Sequence, residues 1–314
     1  MANERCWNPE IERADREALE AVQLDGLRAT VRRALRTPFY RERLTGAGLT
    51  SADDLRTLAD ARHIPETTKA DLRVAYPEGL LAVPPEQVVR VHTSSGTTGT
   101  PTVIHHTRRD LDAWTELVAR CIVATGAGPA DVFQNMMTYG LFTGGLGLHY
   151  GAERVGLMVI PSAAGNTTRQ LRLMRDFHTP VVHATPSYML HVAHKVPSEG
   201  VAPGDLFLRK AYLGGEPYSE TTRRKIEAFY GIDVYNSYGL SEMNGPGVAF
   251  ECVCKDGMHI WEDAFLIEMR RPDGSPAPPG EGAELSMTPP HRGAPPTLAY
   301  PPGDPPRRLP GDSP

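Results

Sequence analysis

The chain has 314 residues, a net charge of −5 and 40% hydrophobic residues. This composition is typical of a soluble globular protein with one large domain or two ordinary ones. The acidic balance provides no global basic field for nucleic acid, and no apolar run approaches the roughly 20 residues of a membrane-spanning helix. Four unevenly spaced cysteines and a charged first segment without an apolar core predict a reducing, cytoplasmic location.

The first part of the chain has the pattern of helices. Apolar residues recur at helical spacing from residue 11 to residue 35, and Thr37, which precedes a proline, ends that helix. Ser51 and Thr68 are predicted N-caps, because their hydroxyls can accept the free N–H groups of a first turn. A longer helix is predicted from Thr107 to Ala124, with Trp114 facing the core.

From residue 155 onward, strands alternate with helices. The predicted strands are 155–160, which is expected to be buried, 181–184, 210–213 and 232–235; the predicted helices are 167–177, 187–195 and 221–230. This alternation indicates a largely parallel sheet that is covered on both faces. Ligands of such sheets bind at the carboxyl ends of the strands. Three polar or glycine-rich turns are predicted there, at residues 93–99, 214–217 and 236–242.

The first of these turns contains only small side chains. It follows the β-branched run 88–91 and reads Ser94-Ser95-Gly96-Thr97-Thr98-Gly99. Hydroxyls and backbone N–H groups can hold a phosphate chain, and the glycines let the backbone bend and approach an anion closely. Taken alone, such a cluster is more often a solvent-exposed loop than a phosphate-binding turn. No Gly-x-x-x-x-Gly-Lys-Ser/Thr sequence is present, which disfavours a P-loop NTPase.

Further motifs follow this turn in a fixed order, and together they resemble the phenylacetate–CoA ligases of the adenylate-forming superfamily. The resemblance covers roughly residues 15 to 285. Because the motifs occur in family order, they are more specific together than any one of them. The segments that carry it are 68–73, Tyr76-Pro77, 91–99, 139–145, 213–217, 238–242, 245–248 and 261–263.

The resemblance implies a layered α/β/α fold with mostly parallel sheets. It also implies ATP-dependent conversion of an aryl or arylacetic acid into an acyl-adenylate and then a CoA thioester, with Mg²⁺ as the metal. Glu242 resembles the Mg²⁺-binding glutamate of the family, and Thr98 is the second catalytic candidate. The residues expected to bind the nucleotide are Ser94, Ser95, Gly96, Thr97, Thr98, Gly99, Gly214, Gly215, Glu216, Pro217, Asn236, Ser237, Tyr238, Gly239, Ser241 and Asp304.

The acid pocket is implied by the same resemblance. Small residues beside aromatic ones leave a flat apolar slot that suits an aryl acid, although ordinary core packing is the alternative. His149 and His183 are expected to be core histidines. The predicted lining is Tyr139, Phe142, Gly144, Gly145 and Pro246.

A separate cluster combines two thiols and an imidazole. Cys252, Cys254 and His259 can supply three zinc ligands, whereas a closed structural site takes four. Some relatives complete such a site with a later Cys-Pro-Cys segment, where this chain reads Gly311-Asp312-Ser313-Pro314. A structural zinc site is therefore an open alternative here.

The end of the chain departs from the family pattern. Fourteen of the 29 prolines lie between residues 272 and 314, and proline cannot donate to a sheet ladder. We therefore expect three parts: a helical segment at 1–85, an adenylate-forming core at 86–282 and a proline-rich, degenerate or frame-shifted tail at 283–314. Relatives usually carry lysine where Thr100 stands, and the family's C-terminal lid domain is expected to be absent.

These departures leave two functional classes open. The first is a ligase that acts on a small aryl acid, without nucleic acid or membrane partners and with the homodimer that is common among relatives. The second is a non-catalytic remnant that binds only nucleotide or acid. The intact turn at 94–99 and Glu242 favour the ligase, whereas Thr100 and the tail favour the remnant.

Overall fold

The computed structural model describes residues 6–94, 99–271, 275, 277–278 and 283–303. The chain forms two compact units, and it passes between them more than once. One unit contains residues 1–7, 113–240 and 244–260, and the other contains residues 8–112, 241–243 and 261–314. The division at residues 85 and 282 stays a prediction from the sequence.

The first unit is built on a seven-stranded sheet in the order β4-β3-β5-β6-β7-β8-β9. The strands from β4 to β7 pair in parallel, and β8 and β9 continue the sheet in antiparallel pairing. The predicted α/β class with a mostly parallel central sheet is thus confirmed. The strands are β3 (Val132–Asn135), β4 (Met158–Ile160), β5 (Val181–Ala184), β6 (Lys210–Gly214), β7 (Asp233–Leu240), β8 (Gly245–Glu251) and β9 (Met258–Ile260).

Helices cover this sheet. Side chains of three helices pack with the inward-facing residues of β5, β6 and β7 in one buried apolar cluster that includes Met174, Met189 and Ile226. Among the other side chains of this sheet, Tyr212 is fully buried, and its hydroxyl forms a hydrogen bond with the Thr125 hydroxyl at 2.7 Å. The helices of the cluster are α7 (Thr167–Asp176), α8 (Pro186–Lys195) and α9 (Glu220–Tyr230); α5 (Arg108–Ala124) and α6 (Thr143–Val155) precede them in the chain.

The second unit combines helices with two small sheets. Its helices are α1 (Pro9–Glu12), α2 (Arg16–Ala34), α3 (Pro38–Gly46) and α4 (Lys69–Val74). One antiparallel pair joins β1 (Val88–Thr93) to β2 (Val103–Thr107), and another joins β10 (Leu266–Arg270) to β11 (Glu284–Thr288). Leu27, Val31, Leu44 and Leu55 are fully buried in this unit, which accounts for the apolar face of the first predicted helix.

The structure corrects several local predictions. The segment 155–160 is not one buried strand, because residue 155 ends α6 and β4 is a short edge strand with Met158 half exposed. Strand β7 does not end at residue 235 but continues to Leu240, because β8 provides an antiparallel partner for it. The turn at 93–99 joins β1 and β2 in a separate antiparallel sheet, so it does not follow a parallel strand.

The described part of the proline-rich segment is packed rather than loose. Residues 294, 297, 298 and 299 are fully buried, and Tyr300 forms a bridge with Met287 of β11. The prolines themselves lie outside the ladder, as expected for residues without an N–H donor. Instead, the segment is fixed by side chains of its own unit: the N–H of Leu298 donates to the Tyr40 hydroxyl, and the Thr30 hydroxyl donates to the carbonyl of Pro290.

Candidate active site

The glycine-rich turn is closed by a pair of hydrogen bonds. The N–H of Ser94 donates to the carbonyl of Thr102, and the N–H of Thr102 donates to the hydroxyl of Ser94, both at 3.0 Å. Gly99 has a φ of +124°, a backbone conformation that residues other than glycine rarely adopt. The predicted phosphate contacts of residues 95–98 lie outside the described residues. The described ends of the turn adjoin the paired ends of β1 and β2, which form a hairpin.

Glu242 lies beside this hairpin, in the same unit. It belongs to a 3₁₀ turn, Ser241–Met243, and only 5% of its surface is exposed. The hydroxyl of Thr102 is 3.4 Å from its Oε1 atom, and this long contact leaves the carboxylate with oxygen lone pairs to spare. A buried carboxylate next to a turn of hydroxyls and N–H groups can hold a cation and an anion side by side.

The second predicted turn and residues 236–240 of the third are adjacent in the first unit. Gly214 pairs with Ser237 across β6 and β7, and a Cβ at Gly214 would collide with the carbonyl oxygen of Ser237. Gly215 has a φ of +81° and starts the turn that contains Glu216 and Pro217. The Glu216 carboxylate accepts the N–H of Ser187 at 2.6 Å, and it therefore stabilises the start of α8.

A buried ion pair supports the neighbouring segment of β7. The carboxylate of Glu251 accepts the N–H of Asn236 at 2.7 Å and one N–H of Arg223 at 2.6 Å. Burial lowers the pKa of Arg223, but the hydrogen bond and charge of Glu251 outweigh burial, so the pKa is raised. The backbone after residue 236, which includes Ser237, Tyr238 and Gly239, is thus held on a rigid strand.

An open cavity of about 450 Å³ lies in the first unit. Of the predicted acid-pocket residues, Phe142 lines it, and 40% of this residue is exposed. The wall also includes Gly215 of the second predicted turn, so the cavity adjoins that turn. The other lining residues are Met136, Met137, Thr138, Ala164, Thr185, Ser187, Tyr188 and His191. The cavity combines apolar walls with a few hydroxyls and an imidazole, which is typical of a small-molecule site.

The remaining predicted pocket residues have packing contacts instead. A Cβ at Gly145 would lie 2.5 Å from the carbonyl oxygen of Thr138, and Gly144 lies directly under the Phe142 ring. Pro246 packs against Gly147 of α6, and its carbonyl accepts the indole N–H of Trp114 at 2.7 Å. The glycines of α6 therefore serve close helix packing, and Trp114 is a core residue as predicted.

The two histidines also have protein partners. The Tyr139 hydroxyl is 3.1 Å from Nδ1 of His149, whose Nε2 atom is 3.1 Å from Glu153. His183 is buried in β5, and its Nδ1–H donates to the side-chain carbonyl of Asn135 at 3.1 Å. Burial lowers the pKa of His183 to about 3.

Because His183 is buried in its neutral form, we expect the fold to lose stability in acid. Its neutral form is favoured in the folded state, so the unfolded chain binds more protons between about pH 6.5 and pH 3, and stability falls as the pH falls through this window. This histidine alone should remove about 2 kcal/mol of unfolding free energy between pH 7 and pH 5. Urea unfolding at both pH values checks this for the protein and for His183→Gln, which does not titrate. An equal loss in both proteins would contradict the prediction.

The zinc alternative is not supported. Across residues 6–94, 99–271 and 283–303, no group of three or more His, Cys, Asp or Glu side chains is placed to hold a metal ion. Cys252, Cys254 and His259 all fall in this part of the chain. The N–H of Cys254 donates to the sulfur of Cys252, and His259 lies on β9. Asp304, the predicted ribose ligand, lies outside the described residues. No helix in the described part is long and apolar enough to cross a membrane.

Comparisons with known proteins identify the family of this chain. The model of the AMP-binding enzyme family matches residues 34–285. The phenylacetate-coenzyme A ligase of Thermus thermophilus is 46% identical to this chain over 301 residues, which are 95% of the chain and 67% of that protein. The chain belongs to the phenylacetate–CoA ligase family. The phenylacetate-coenzyme A ligase of Pseudomonas putida is likewise 46% identical, and 96% of the chain matches 69% of it.

A solved structure extends the comparison to bound ligands. The 2-hydroxyisobutyryl-CoA ligase in complex with 2-HIB-AMP and CoA superposes with a TM-score of 0.88 at 27% identity, covering 97% of this chain and 66% of that one. This phenylacetate–CoA ligase family member thus spans about two thirds of the length of its relatives. Its fold is that of an acyl-CoA ligase whose crystal structure contains an acyl-adenylate and CoA.

Sequence reasoning did not identify several side chains of these sites. Met136, Met137 and Tyr188 line the cavity, but in the sequence they are ordinary apolar residues without a motif. Thr185 had a local signal, because a threonine before a proline caps a helix, and its hydroxyl does accept the N–H of Tyr188.

Proposed function

We propose that this protein activates an aryl or arylacetic acid with ATP and transfers the acyl group to CoA. The observation that carries the proposal is the buried carboxylate of Glu242, 3.4 Å from the threonine that closes the glycine-rich hairpin. The chemistry of ATP requires a residue that binds a divalent cation next to a turn that binds the phosphates. The identity of the relatives as phenylacetate-coenzyme A ligases supports an arylacetic acid.

The reaction has two displacements. A carboxylate oxygen of the acid attacks the α-phosphorus of ATP, and the bond to the bridging oxygen breaks, which releases pyrophosphate and leaves the acyl-adenylate. The CoA thiol then gives up its proton and attacks the acyl carbon, and AMP leaves. The first step brings two anions together, so alignment and charge neutralisation account for most of its barrier. Groups that fix the phosphates and the acid therefore have the largest effect on rate.

The residues present fit a hard divalent cation. Among the described residues, the carboxylate of Glu242 contacts the Thr102 hydroxyl at 3.4 Å, and Mg²⁺ prefers oxygen ligands of this kind. In the proposed site Glu242 holds Mg²⁺, which when bound neutralises charge on the triphosphate. Ser94 to Gly99, with Thr98 as a catalytic candidate, hold the outer phosphates through hydroxyl and N–H donors. On the family resemblance alone, we assign Tyr238 and the 214–217 turn to the adenine, and Asn236, Ser237, Gly239 and Ser241 to the rest of the nucleotide.

We assign the acid to the cavity of about 450 Å³. Phe142, Met136, Met137 and Tyr188 give it flat, polarisable walls that suit an aromatic ring. Gly144 packs against the Phe142 ring and Gly145 against the Thr138 carbonyl, so both contact lining residues. Tyr139 and Pro246 are assigned to the acid site on the family resemblance. A cytoplasmic location and a homodimer remain predictions from the sequence and the family resemblance.

Thermal unfolding tests the proposal in its two parts. ATP with Mg²⁺ should raise the melting temperature, and phenylacetate should raise it further, because ligands that bind the folded state stabilise it. Pyrophosphate release and thioester formation with a panel of aryl acids then measure turnover. Stabilisation without any turnover would favour the binding-only remnant, and no response to ATP with Mg²⁺ would overturn the proposal.

A cavity-filling variant tests separately whether the acid binds in this cavity. Ala164 is exposed and lines the cavity, so Ala164→Trp adds a large side chain there without disturbing the core. We expect this variant to keep its response to ATP with Mg²⁺ and to lose the additional stabilisation by phenylacetate. An unchanged response to phenylacetate would place the acid outside this cavity.

A further inference from the structure

Arg292 is an unusual charge in the proline-rich segment. Its side chain is buried, with 3% of the residue exposed, and it lies in the same unit as Glu242. Its Nη1–H donates to the backbone carbonyl of Glu242 at 2.5 Å and lies 3.5 Å from the Thr297 hydroxyl. Among the described residues, its Nε and Nη2 atoms have no hydrogen-bond partner. A buried guanidinium with so few partners carries a large desolvation cost.

The Arg292 guanidinium stays charged although it is buried. Desolvation lowers the pKa of Arg292 to about 10, and Asp110, Tyr40 and Glu242 act in the opposite direction. The side chain therefore remains protonated at neutral pH. The observation that carries the argument is geometric: the buried guanidinium lies against the backbone of the turn that contains Glu242.

The backbone around Arg292 is fixed by a second buried group. Asp110, which is 2% exposed, accepts the N–H groups of Gly293 and Ala294 at 2.6 and 3.1 Å. It also accepts the N–H and hydroxyl of Thr107 at the end of β2, at 2.8 and 2.7 Å. Asp110 thus ties the segment that carries Arg292 to the hairpin whose other strand, β1, leads into the glycine-rich turn.

Glu242 is consequently held from two sides. Thr102, on the hairpin side, contacts its carboxylate, and Arg292 contacts its backbone carbonyl. We propose that Arg292 is a positioning residue that sets the carboxylate of Glu242 for Mg²⁺. This rests on the proposed function, in which Glu242 is the metal ligand. Arg292 acts through Glu242 and has no contact with the substrates in the proposal.

The test compares ATP binding with and without the metal. Calorimetric titrations of ATP in excess Mg²⁺ and in excess EDTA measure the gain in ATP affinity due to the metal. We expect Arg292→Met to reduce this gain about tenfold, because residues that orient a metal ligand typically change metal affinity by ten- to a hundredfold. ATP affinity in EDTA should stay within about twofold of the wild type, and Arg292→Lys should recover part of the gain.

Arg270 provides a matched control. It is also buried, with 8% exposure, lies in the same unit, and pairs with Glu66 and Glu268. Arg270→Met should lose stability to urea and keep the full gain from Mg²⁺. If Arg292→Met also keeps the gain, Arg292 is only structural and the proposal is wrong. If wild type does not bind ATP at all, the proposed function fails, which is a distinct result.

Discussion

Replacing Glu242 by glutamine should abolish most of the Mg²⁺-dependent gain in ATP affinity. The amide keeps the shape of the side chain, and the Thr102 hydroxyl can still donate to its carbonyl oxygen, but the negative charge that a hard cation prefers is gone. We expect a loss of about a hundredfold, or roughly 2.7 kcal/mol of binding free energy. The calorimetric titration of ATP with and without Mg²⁺ measures it directly.

Glu262 serves as the control for this substitution. It lies in the same unit, and its carboxylate pairs with Arg16 near the surface, at 2.8 Å. Glu262→Gln should leave the metal dependence of ATP binding unchanged. A Glu242→Gln protein that retains the wild-type gain would show that Mg²⁺ is held elsewhere. The assignment of Glu242 would then be wrong even if the protein proves to be a ligase.

Replacing Glu251 by glutamine should cause the largest loss of stability. The change removes the buried counter-charge of Arg223, whose remaining carboxylate partner, Glu220, is exposed, and it weakens the acceptor for the Asn236 N–H. Breaking one partner of a buried ion pair typically costs about 3–5 kcal/mol, because the remaining charge is uncompensated. Urea unfolding of the variant against wild type tests this, and ATP binding should weaken as well because β7 loses its support at residue 236.

The second carboxylate partner of Arg223 provides the control for Glu251→Gln. Arg223 also pairs with Glu220, whose carboxylate is 59% exposed, with Nε and Oε2 3.3 Å apart. Glu220→Gln should cost less than about 1 kcal/mol, as surface ion pairs do. The double variant Arg223→Met/Glu251→Leu should regain part of the loss, because no buried charge then remains. Equal effects of the two single substitutions would contradict the proposed importance of burial.

Local sequence patterns were sufficient for much of the fold. The helices near Ser51 and Thr68 begin at their predicted caps, since an N-cap depends on a few adjacent residues. Strands β5 and β6 and helices α7, α8 and α9 fall within about two residues of their predicted bounds, because their apolar periodicity is strong. The ordered motifs also identified the family, and the relatives confirmed that identification.

Elements that depend on distant partners were less predictable. Strand β7 continues to Leu240 only because β8 pairs with it in antiparallel orientation. The composition of neither segment predicts this pairing. The glycines of α6 fit two interpretations in the sequence, pocket lining and close packing, and only the positions of Thr138 and Trp114 distinguish them. The cavity walls come from separate turns and helices, so no single stretch predicts them.

The sequence by itself determined the family, the α/β class and the motifs of the proposed ATP site, because these depend on residue types in a fixed order. The tertiary structure alone decided that Glu242 lies against the glycine-rich hairpin and that the segment 289–300 packs beneath it. These facts depend on contacts such as those of Arg292 and Asp110, whose partners are far apart in the chain. Burial and long-range hydrogen bonds arise only when the chain folds, and no local pattern encodes them.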